Sequence, residues 1–214
     1  MAEKDHTPCI YVLAGTNGAG KSSIAGAMFL AQGVEYFNPD EAANVILCAN
    51  SGMSQAEANS AAWHEGKRLL ERAIAERLNF AFETTLGGRT IAGLLRSALS
   101  AGIEVRIWYA GLRSAGLHIA RVKARVAKGG PDIDEARIRD RFDSSRLNLI
   151  QLMPKLTELR VYDNSEEADL FQGIAPEPKL LVHMARGRIV SSCELASTPD
   201  WTKPILVAAI KAQG

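Results

Sequence analysis

Short apolar segments alternate along this chain with longer segments whose apolar residues recur at helical spacing. The first apolar run, Cys9–Gly15, ends in glycine and predicts a buried strand that leads into a turn. Later runs of similar length predict further strands of the same kind. The predicted strands are Cys9–Gly15, Glu35–Asp40, Phe80–Thr85, Glu104–Leu112 and Glu158–Tyr162.

Helical periodicity fills most of the chain between these runs. The longest helical stretch opens with Ser54 and Glu57, which are spaced as a capping box. The break Gly129-Gly130-Pro131 separates two later helices. The predicted helices are one beginning near Lys21, then Ser54–Leu78, Arg89–Ser100, Ala115–Lys128, Asp134–Leu156 and Lys203–Ala212.

Strands that alternate with helices indicate an α/β fold, in which crossover connections build a central parallel sheet flanked by helices. Pro178–Glu194 differs from the rest, because a Gly-Arg pair divides two short apolar runs and predicts a hairpin. Without repeats or low-complexity segments, we expect one domain over residues 1–214, with a C-terminal appendage at about 176–214.

The overall composition excludes several classes of protein. The chain has 214 residues, 47% hydrophobic content and a formal net charge of +1, so the charge argues against a nucleic-acid partner. No apolar run approaches the roughly 20 residues of a membrane-spanning helix. Three scattered cysteines and a polar N-terminus favour a reducing compartment. We expect a cytoplasmic protein with no membrane partner.

The segment after the first strand matches GxxxxGK[ST] in full. Such a loop brings backbone N–H groups close to a phosphate chain, and the following helix adds the positive end of its dipole. Lys21 would place a cation on the phosphates, and the Ser22 hydroxyl would ligate Mg²⁺. The predicted ATP-binding residues are Gly15, Thr16, Asn17, Gly18, Ala19, Gly20, Lys21, Ser22 and Ser23.

Two carboxylates follow predicted strands at the edge where ligands bind in parallel sheets. Asp40 ends FNPD and is the candidate that orients an acceptor hydroxyl and takes its proton; the alternative is a helix N-cap. Glu83 ends FAFE and could hold a magnesium-bound water or the acceptor. Its alternative is a capping or hinge contact to Thr84, Thr85 or the Gly87-Gly88 turn.

Residues 120–146 carry six arginines on two predicted helices. Arg121 and Arg125 share one helix face, and Arg137 and Arg141 share another. Two such faces predict an arginine lid over a polyphosphate, spanning about 114–146. The alternative is a solvated face paired with the neighbouring acids. Arg125 is the best single candidate, whereas spacing does not rank Arg137, Arg139 and Arg141.

Four segments in this order resemble the zeta toxin family of P-loop kinases. They are AGTNGAGKS, FNPDEAA, FETTLGG and RVKARVAKGGPDI…RIRDRFDSSRLNL, within Ile10–Asn164. The resemblance implies a nucleotide-kinase-like P-loop fold, ATP and Mg²⁺ as cofactors, an antitoxin-like partner, and phosphorylation of a UDP-activated amino sugar. By position, it implies acceptor activation by Asp40, a substrate-side role for Glu83, and γ-phosphate contacts from Arg125 and from one arginine within Arg137–Arg141, for which we choose Arg141.

Two positions depart from the pattern of the small relatives. Pro131 stands where a histidine is usual after two glycines, and Asp140 stands where arginine is frequent. These changes leave ATP binding intact and leave the identity of the acceptor open. The leading interpretation is an ATP-dependent phosphotransferase acting on a small hydroxyl-bearing acceptor. The alternatives are a P-loop ATPase or regulatory module, and a kinase for nucleotide or nucleic-acid ends.

Overall fold

The strands form one seven-stranded sheet. The computed structural model describes residues 7–22, 24, 34, 36–166 and 177–213. The sheet order is β2-β3-β1-β4-β5-β6-β7. The strands are β1 (Cys9–Ala14), β2 (Tyr36–Phe37), β3 (Phe80–Thr84), β4 (Glu104–Gly111), β5 (Glu158–Asp163), β6 (Lys179–Ala185) and β7 (Arg188–Ser192).

The first five strands pair in parallel, as the alternation of strands and helices predicted. β1 lies between β3 and β4, so the chain leaves the carboxyl end of β1 at the point where the strand order reverses. Ligands of open α/β sheets bind at such a point. The topology therefore places the glycine-rich loop at the usual binding edge.

Helices cover the sheet, and four of the described helices begin with a polar side-chain cap. Ser54 and Glu57 form the predicted capping box, and Asp134 and Ser114 each accept a hydrogen bond from a backbone N–H group in the first turn of the helix that follows. The helices are α1 (Pro39–Ala49), α2 (Gln55–Ala75), α3 (Arg89–Ser100), α4 (Ala115–Val126), α5 (Glu135–Leu152) and α6 (Lys203–Lys211).

Alternate residues of β1 pack on opposite sides of the sheet. Ile10 and Val12 join the larger core with the buried faces of α2, α3, α5 and α6. Tyr11 and Leu13 join a smaller cluster with Trp108 and Ile24. Both sets are buried, which explains why β1 shows a continuous apolar run and no alternation.

The second predicted strand, Glu35–Asp40, was too long. Strand β2 comprises Tyr36–Phe37, and helix α1 already begins at Pro39. Asn38 caps this helix, because its side-chain oxygen accepts a hydrogen bond from the Asp40 backbone N–H at 3.0 Å. Asp40 therefore lies in the first turn of a helix, neither at a strand end nor at the N-cap.

The C-terminal segment confirms the predicted hairpin. β6 and β7 pair antiparallel, and β6 also pairs antiparallel with β5, so the sheet is mixed at this edge. Ile205 and Leu206 of α6 pack into the larger core. Among the helices in the described part of the chain, none has both the length and the apolarity needed to cross a membrane.

Candidate functional site

The loop after β1 has the backbone conformation of a phosphate cradle. Gly15, Gly18 and Gly20 all have positive φ angles, which L side chains rarely adopt. At Gly15 a Cβ atom would lie 2.2 Å from the Ala110 carbonyl oxygen of β4, so only glycine fits. The loop therefore packs tightly against the neighbouring strand, with its amide groups at the edge of the sheet.

Lys21 is buried inside this loop. Its side chain is 8% exposed, and Nζ donates a hydrogen bond to the Gly15 carbonyl oxygen at 2.9 Å. The same Nζ lies 3.4 Å from Oε1 of Glu83. A buried ammonium group is costly unless a negative charge compensates it. Glu83 provides that charge here.

Glu83 lies near the carboxyl end of β3, as its position in FAFET predicted. The Tyr36 hydroxyl of the adjacent strand β2 donates to Oε2 of Glu83 at 3.0 Å. Burial raises the pKa of Tyr36 well above its usual value, and the charge of Glu83 adds to this effect. Glu83 thus links Lys21 of the loop to Tyr36 of the sheet.

Asp40 and Arg125 meet although they come from different helices. Nη1 of Arg125, on α4, lies 3.5 Å from Oδ2 of Asp40, in the first turn of α1. Nη2 of Arg125 also donates to the Pro131 carbonyl oxygen at 3.0 Å. Beside this pair, Arg121, Ala124, Arg125, Lys128 and Gly130 line an open cleft of about 410 Å³.

The structure separates the three arginines that spacing could not rank. Arg141 reaches the loop, where Nη1 donates to Oδ1 of Asn17 at 2.8 Å. Burial lowers the pKa of Arg141, and the nearby charge of Arg137 acts in the same direction. Arg137 and Arg139 are exposed, and Arg139 lies 3.9 Å from Glu135 of its own helix.

Two other arginines of this segment make contacts that hold the fold together. Arg146 stacks on the Phe142 ring, with its guanidinium carbon 4.1 Å from the ring centroid, and donates to the Trp201 carbonyl oxygen at 3.1 Å. Arg121 donates to the Glu166 carbonyl oxygen at 3.0 Å. The arginines of the predicted lid therefore make different contacts. Arg141 contacts the loop and Arg125 contacts the Asp40 carboxylate, whereas Arg121 and Arg146 donate to backbone carbonyl oxygens elsewhere in the protein.

His118 is a residue whose connection to the loop sequence reasoning missed. It is buried, at 1% exposure. Its Nδ1 donates to the Asn17 carbonyl oxygen at 2.8 Å. Burial lowers its pKa to about 4, so the ring is neutral at neutral pH and carries its proton on Nδ1. No sequence motif marks this contact.

These residues suit a nucleotide with its magnesium ion. Positive-φ glycines give the loop a backbone that can approach an anion closely, and Lys21 and Arg141 bring two cations to the loop. Ser22 is exposed at the helical residue after Lys21, where a hydroxyl can reach a metal ion. Ser23, also predicted to bind ATP, lies outside the described residues.

Comparison with known proteins places the chain in a family. The zeta toxin family model matches residues 1–174, so the protein belongs to the zeta toxin family. An uncharacterized protein of Haemophilus influenzae is 31% identical over 129 residues, which cover 60% of this chain and 88% of that protein. The family assignment confirms the resemblance that the four sequence segments predicted.

Solved structures confirm the fold class. The AvrRxo1-ORF1:-ORF2 complex with ATP superposes with a TM-score of 0.66 at 14% identity, covering 96% of this chain and 64% of that chain. The PezAT chromosomal toxin-antitoxin system of Streptococcus pneumoniae gives 0.54 at 14% identity, covering 75% and 69%. This chain thus spans less than two thirds of the AvrRxo1 chain. The fold is that of a P-loop kinase.

Proposed function

We propose that this protein transfers the γ-phosphoryl group of ATP to a hydroxyl of a small acceptor, and that the acceptor is a UDP-activated amino sugar. The observation that carries the proposal is the approach of Arg141 to the loop that holds Lys21. One neighbour in fold was solved with ATP, which agrees with the nucleotide. The acceptor rests on the family resemblance.

Each predicted residue has a task in this reaction. Within the loop Gly15–Ser22, the amides other than those of Gly15 and Ala19, which already donate to Thr84 and Thr16, would hold the phosphate chain, with Lys21 on the β- and γ-phosphates. Ser22 would ligate Mg²⁺, which when bound neutralises charge on the phosphates. Arg125 and Arg141 would balance the charge that spreads over the γ-phosphoryl oxygens.

Asp40 would act on the acceptor. Its carboxylate would accept the hydroxyl proton while the acceptor oxygen bonds to the γ-phosphorus, and the bond from that phosphorus to the β–γ bridging oxygen breaks. Glu83 would keep Lys21 in position through their 3.4 Å contact. Because Asp40 is paired with Arg125, arrival of the γ-phosphate at Arg125 would release Asp40 for the acceptor.

The experiment that tests this proposal uses Mg²⁺ and ATP labelled at the γ-phosphate. The protein is incubated with UDP-amino sugars, other nucleotide sugars, nucleosides and oligonucleotide ends, and products are identified by mass spectrometry. We expect labelled product with a UDP-amino sugar and none with the Lys21→Ala variant. Release of free phosphate with every acceptor inert would instead favour the ATPase interpretation.

We also propose an antitoxin-like partner and a cytoplasmic location. The PezAT neighbour belongs to a toxin-antitoxin system, and the AvrRxo1 neighbour was solved as a complex of two products. All three cysteines are free thiols, which agrees with a reducing compartment.

A further inference from the structure

Asn17 connects the phosphate loop to both arginine-bearing helices. Its carbonyl oxygen accepts a hydrogen bond from His118 of α4, and its side-chain oxygen accepts one from Arg141 of α5, both at 2.8 Å. The residue is only 9% exposed, so these contacts lie inside the protein. The GxxxxGK[ST] motif leaves this position unspecified.

Arg141 is a partly buried cation that makes no ion pair within 4.0 Å among the described residues, although the charges of Asp140 and Asp40 are near enough to oppose the lowering of its pKa. The base of its side chain packs closely against Gly87, where an added Cβ would lie 2.8 Å from its Cγ. Its backbone carbonyl oxygen accepts from the Thr16 hydroxyl at 3.2 Å. The guanidinium itself is held at the loop by the neutral amide oxygen of Asn17.

A neutral amide oxygen is a weaker acceptor for a guanidinium than a phosphate oxygen, which carries charge and can bind two N–H groups. The contact between Asn17 and Arg141 is therefore easily exchanged for one with a phosphate. The carbonyl contact with His118 uses the backbone and does not compete for the same donor.

We propose that the side-chain oxygen of Asn17 occupies the Arg141 guanidinium in the absence of nucleotide, and that a γ-phosphate oxygen of bound nucleotide replaces it. Meanwhile the Asn17 carbonyl keeps α4 against the loop through His118. This inference rests on the proposed function, since it requires that the loop binds a nucleoside triphosphate. It assigns a role to a side chain that the loop motif does not specify.

The test is a double-mutant cycle on nucleotide affinity. Asn17→Ala and Arg141→Met are made singly and together, and the binding of AMP-PNP with Mg²⁺ is measured by titration calorimetry. If Asn17 contacts Arg141 only in the absence of nucleotide, its side-chain oxygen competes with the γ-phosphate for the guanidinium, and Asn17→Ala removes that competition. We compare the change in AMP-PNP affinity that Asn17→Ala causes in two backgrounds, one with Arg141 and one with Arg141→Met, which has no guanidinium. We expect this change to favour binding by about fivefold to tenfold more in the background with Arg141.

The cycle cancels any general loosening of the loop, because that loosening acts in both backgrounds. Asn59→Ala is the matched control, since it removes an exposed amide oxygen that accepts from Gln55 at 3.0 Å on α2. Arg141→Leu, which also removes the cation and its N–H donors, replaces Arg141→Met if that variant does not fold.

Equal effects of Asn17→Ala in both backgrounds would overturn the inference, as would a loss of affinity confined to the background with Arg141. Both results would mean that the side chain of Asn17 does not yield Arg141 to the phosphate. If the unmodified protein fails to bind AMP-PNP, the proposed function falls, and this inference falls with it. The two failures are therefore distinguishable.

Discussion

Nη1 of Arg125 lies 3.5 Å from Oδ2 of Asp40, so the proposed phosphate-binding arginine and the proposed acceptor carboxylate neutralise each other. The two side chains are 35% and 51% exposed. Ion pairs of this exposure contribute only about 0–1 kcal/mol. We therefore expect a bound phosphate to displace Asp40 from Arg125 at little cost, so that nucleotide binding would release the carboxylate.

The substitution Asp40→Asn tests this role. It keeps the size of the side chain and removes its charge, so we expect affinity for AMP-PNP to stay within about threefold. Transfer to the acceptor should fall by about 10²–10⁴-fold, because no group remains to take the hydroxyl proton. Calorimetry gives the affinity, and labelled product gives the rate.

Glu41→Gln is the matched control for that variant. Glu41 is the next residue of the same helical turn, and its Oε1 accepts from Asn38 at 3.1 Å. The control should retain full transfer activity. A fully active Asp40→Asn protein would remove Asp40 as the base.

The substitution Lys21→Ala should abolish binding of AMP-PNP, because the loop loses the cation buried at its centre. It should also destabilise the fold by about 1–3 kcal/mol, since Glu83 is then left 15% exposed without its cation. Calorimetry and chemical denaturation measure the two effects separately.

Lys21→Ala combined with Glu83→Gln separates stability from binding. Removing both charges should recover most of the lost stability, while nucleotide binding stays absent. Lys67→Ala, which breaks an exposed pair with Glu71 on α2, should change neither quantity appreciably. Unchanged nucleotide affinity in Lys21→Ala would contradict the assignment of the loop.

The pH dependence of stability should reveal His118. Its pKa is about 4 in the folded protein, against 6.5 as its ordinary value, so the unfolded chain binds more protons between these values. The free energy of unfolding should therefore fall as the pH decreases from about 6.5 to about 4. At about 1.36 kcal/mol per pKa unit, the full loss is on the order of 3 kcal/mol.

Substitution of His118 by Asn isolates this effect. The Asn side chain offers an N–H group for the Asn17 carbonyl but does not titrate, so the fall in stability over this pH range should flatten. His64→Asn, at an exposed position on α2, is the matched control and should keep the wild-type profile. Denaturant titrations at several pH values between 4 and 7 provide the measurement, and identical profiles for wild type and His118→Asn would contradict the assignment.

Much of the fold was predictable because the deciding signals are local. The apolar run of β1 and the glycine-rich loop lie next to each other in the sequence, and the alternation of strands with helices specifies parallel pairing. The C-terminal hairpin also has a local turn, at Arg186 and Gly187, both with positive φ. Such features need no knowledge of the packed molecule.

The site was less predictable because it depends on packing. Asn38 and Pro39 start a helix where the apolar pattern suggested a longer strand, and this moves Asp40 into a helical turn. Helical spacing cannot show that Arg141 faces the loop while Arg139 faces solvent, since that depends on how α5 packs. The contact from His118 likewise depends on the position of α4 against the loop.

Two glycine-to-alanine substitutions should have opposite effects on stability. At Gly15 the new Cβ would lie 2.2 Å from the Ala110 carbonyl oxygen, and the φ angle of 143° is one that alanine rarely adopts. The loop must then move away from β4, which should cost about 3 kcal/mol and abolish AMP-PNP binding.

At Gly93, inside helix α3, the closest atom to a new Cβ is Nη2 of Arg96 at 3.9 Å. Alanine there should gain about 1 kcal/mol through its higher helix propensity and leave binding intact. Chemical denaturation measures the free energy of unfolding of both variants, and calorimetry measures their affinity for AMP-PNP. A Gly15→Ala protein that binds nucleotide normally would show that the loop does not need its close approach to β4.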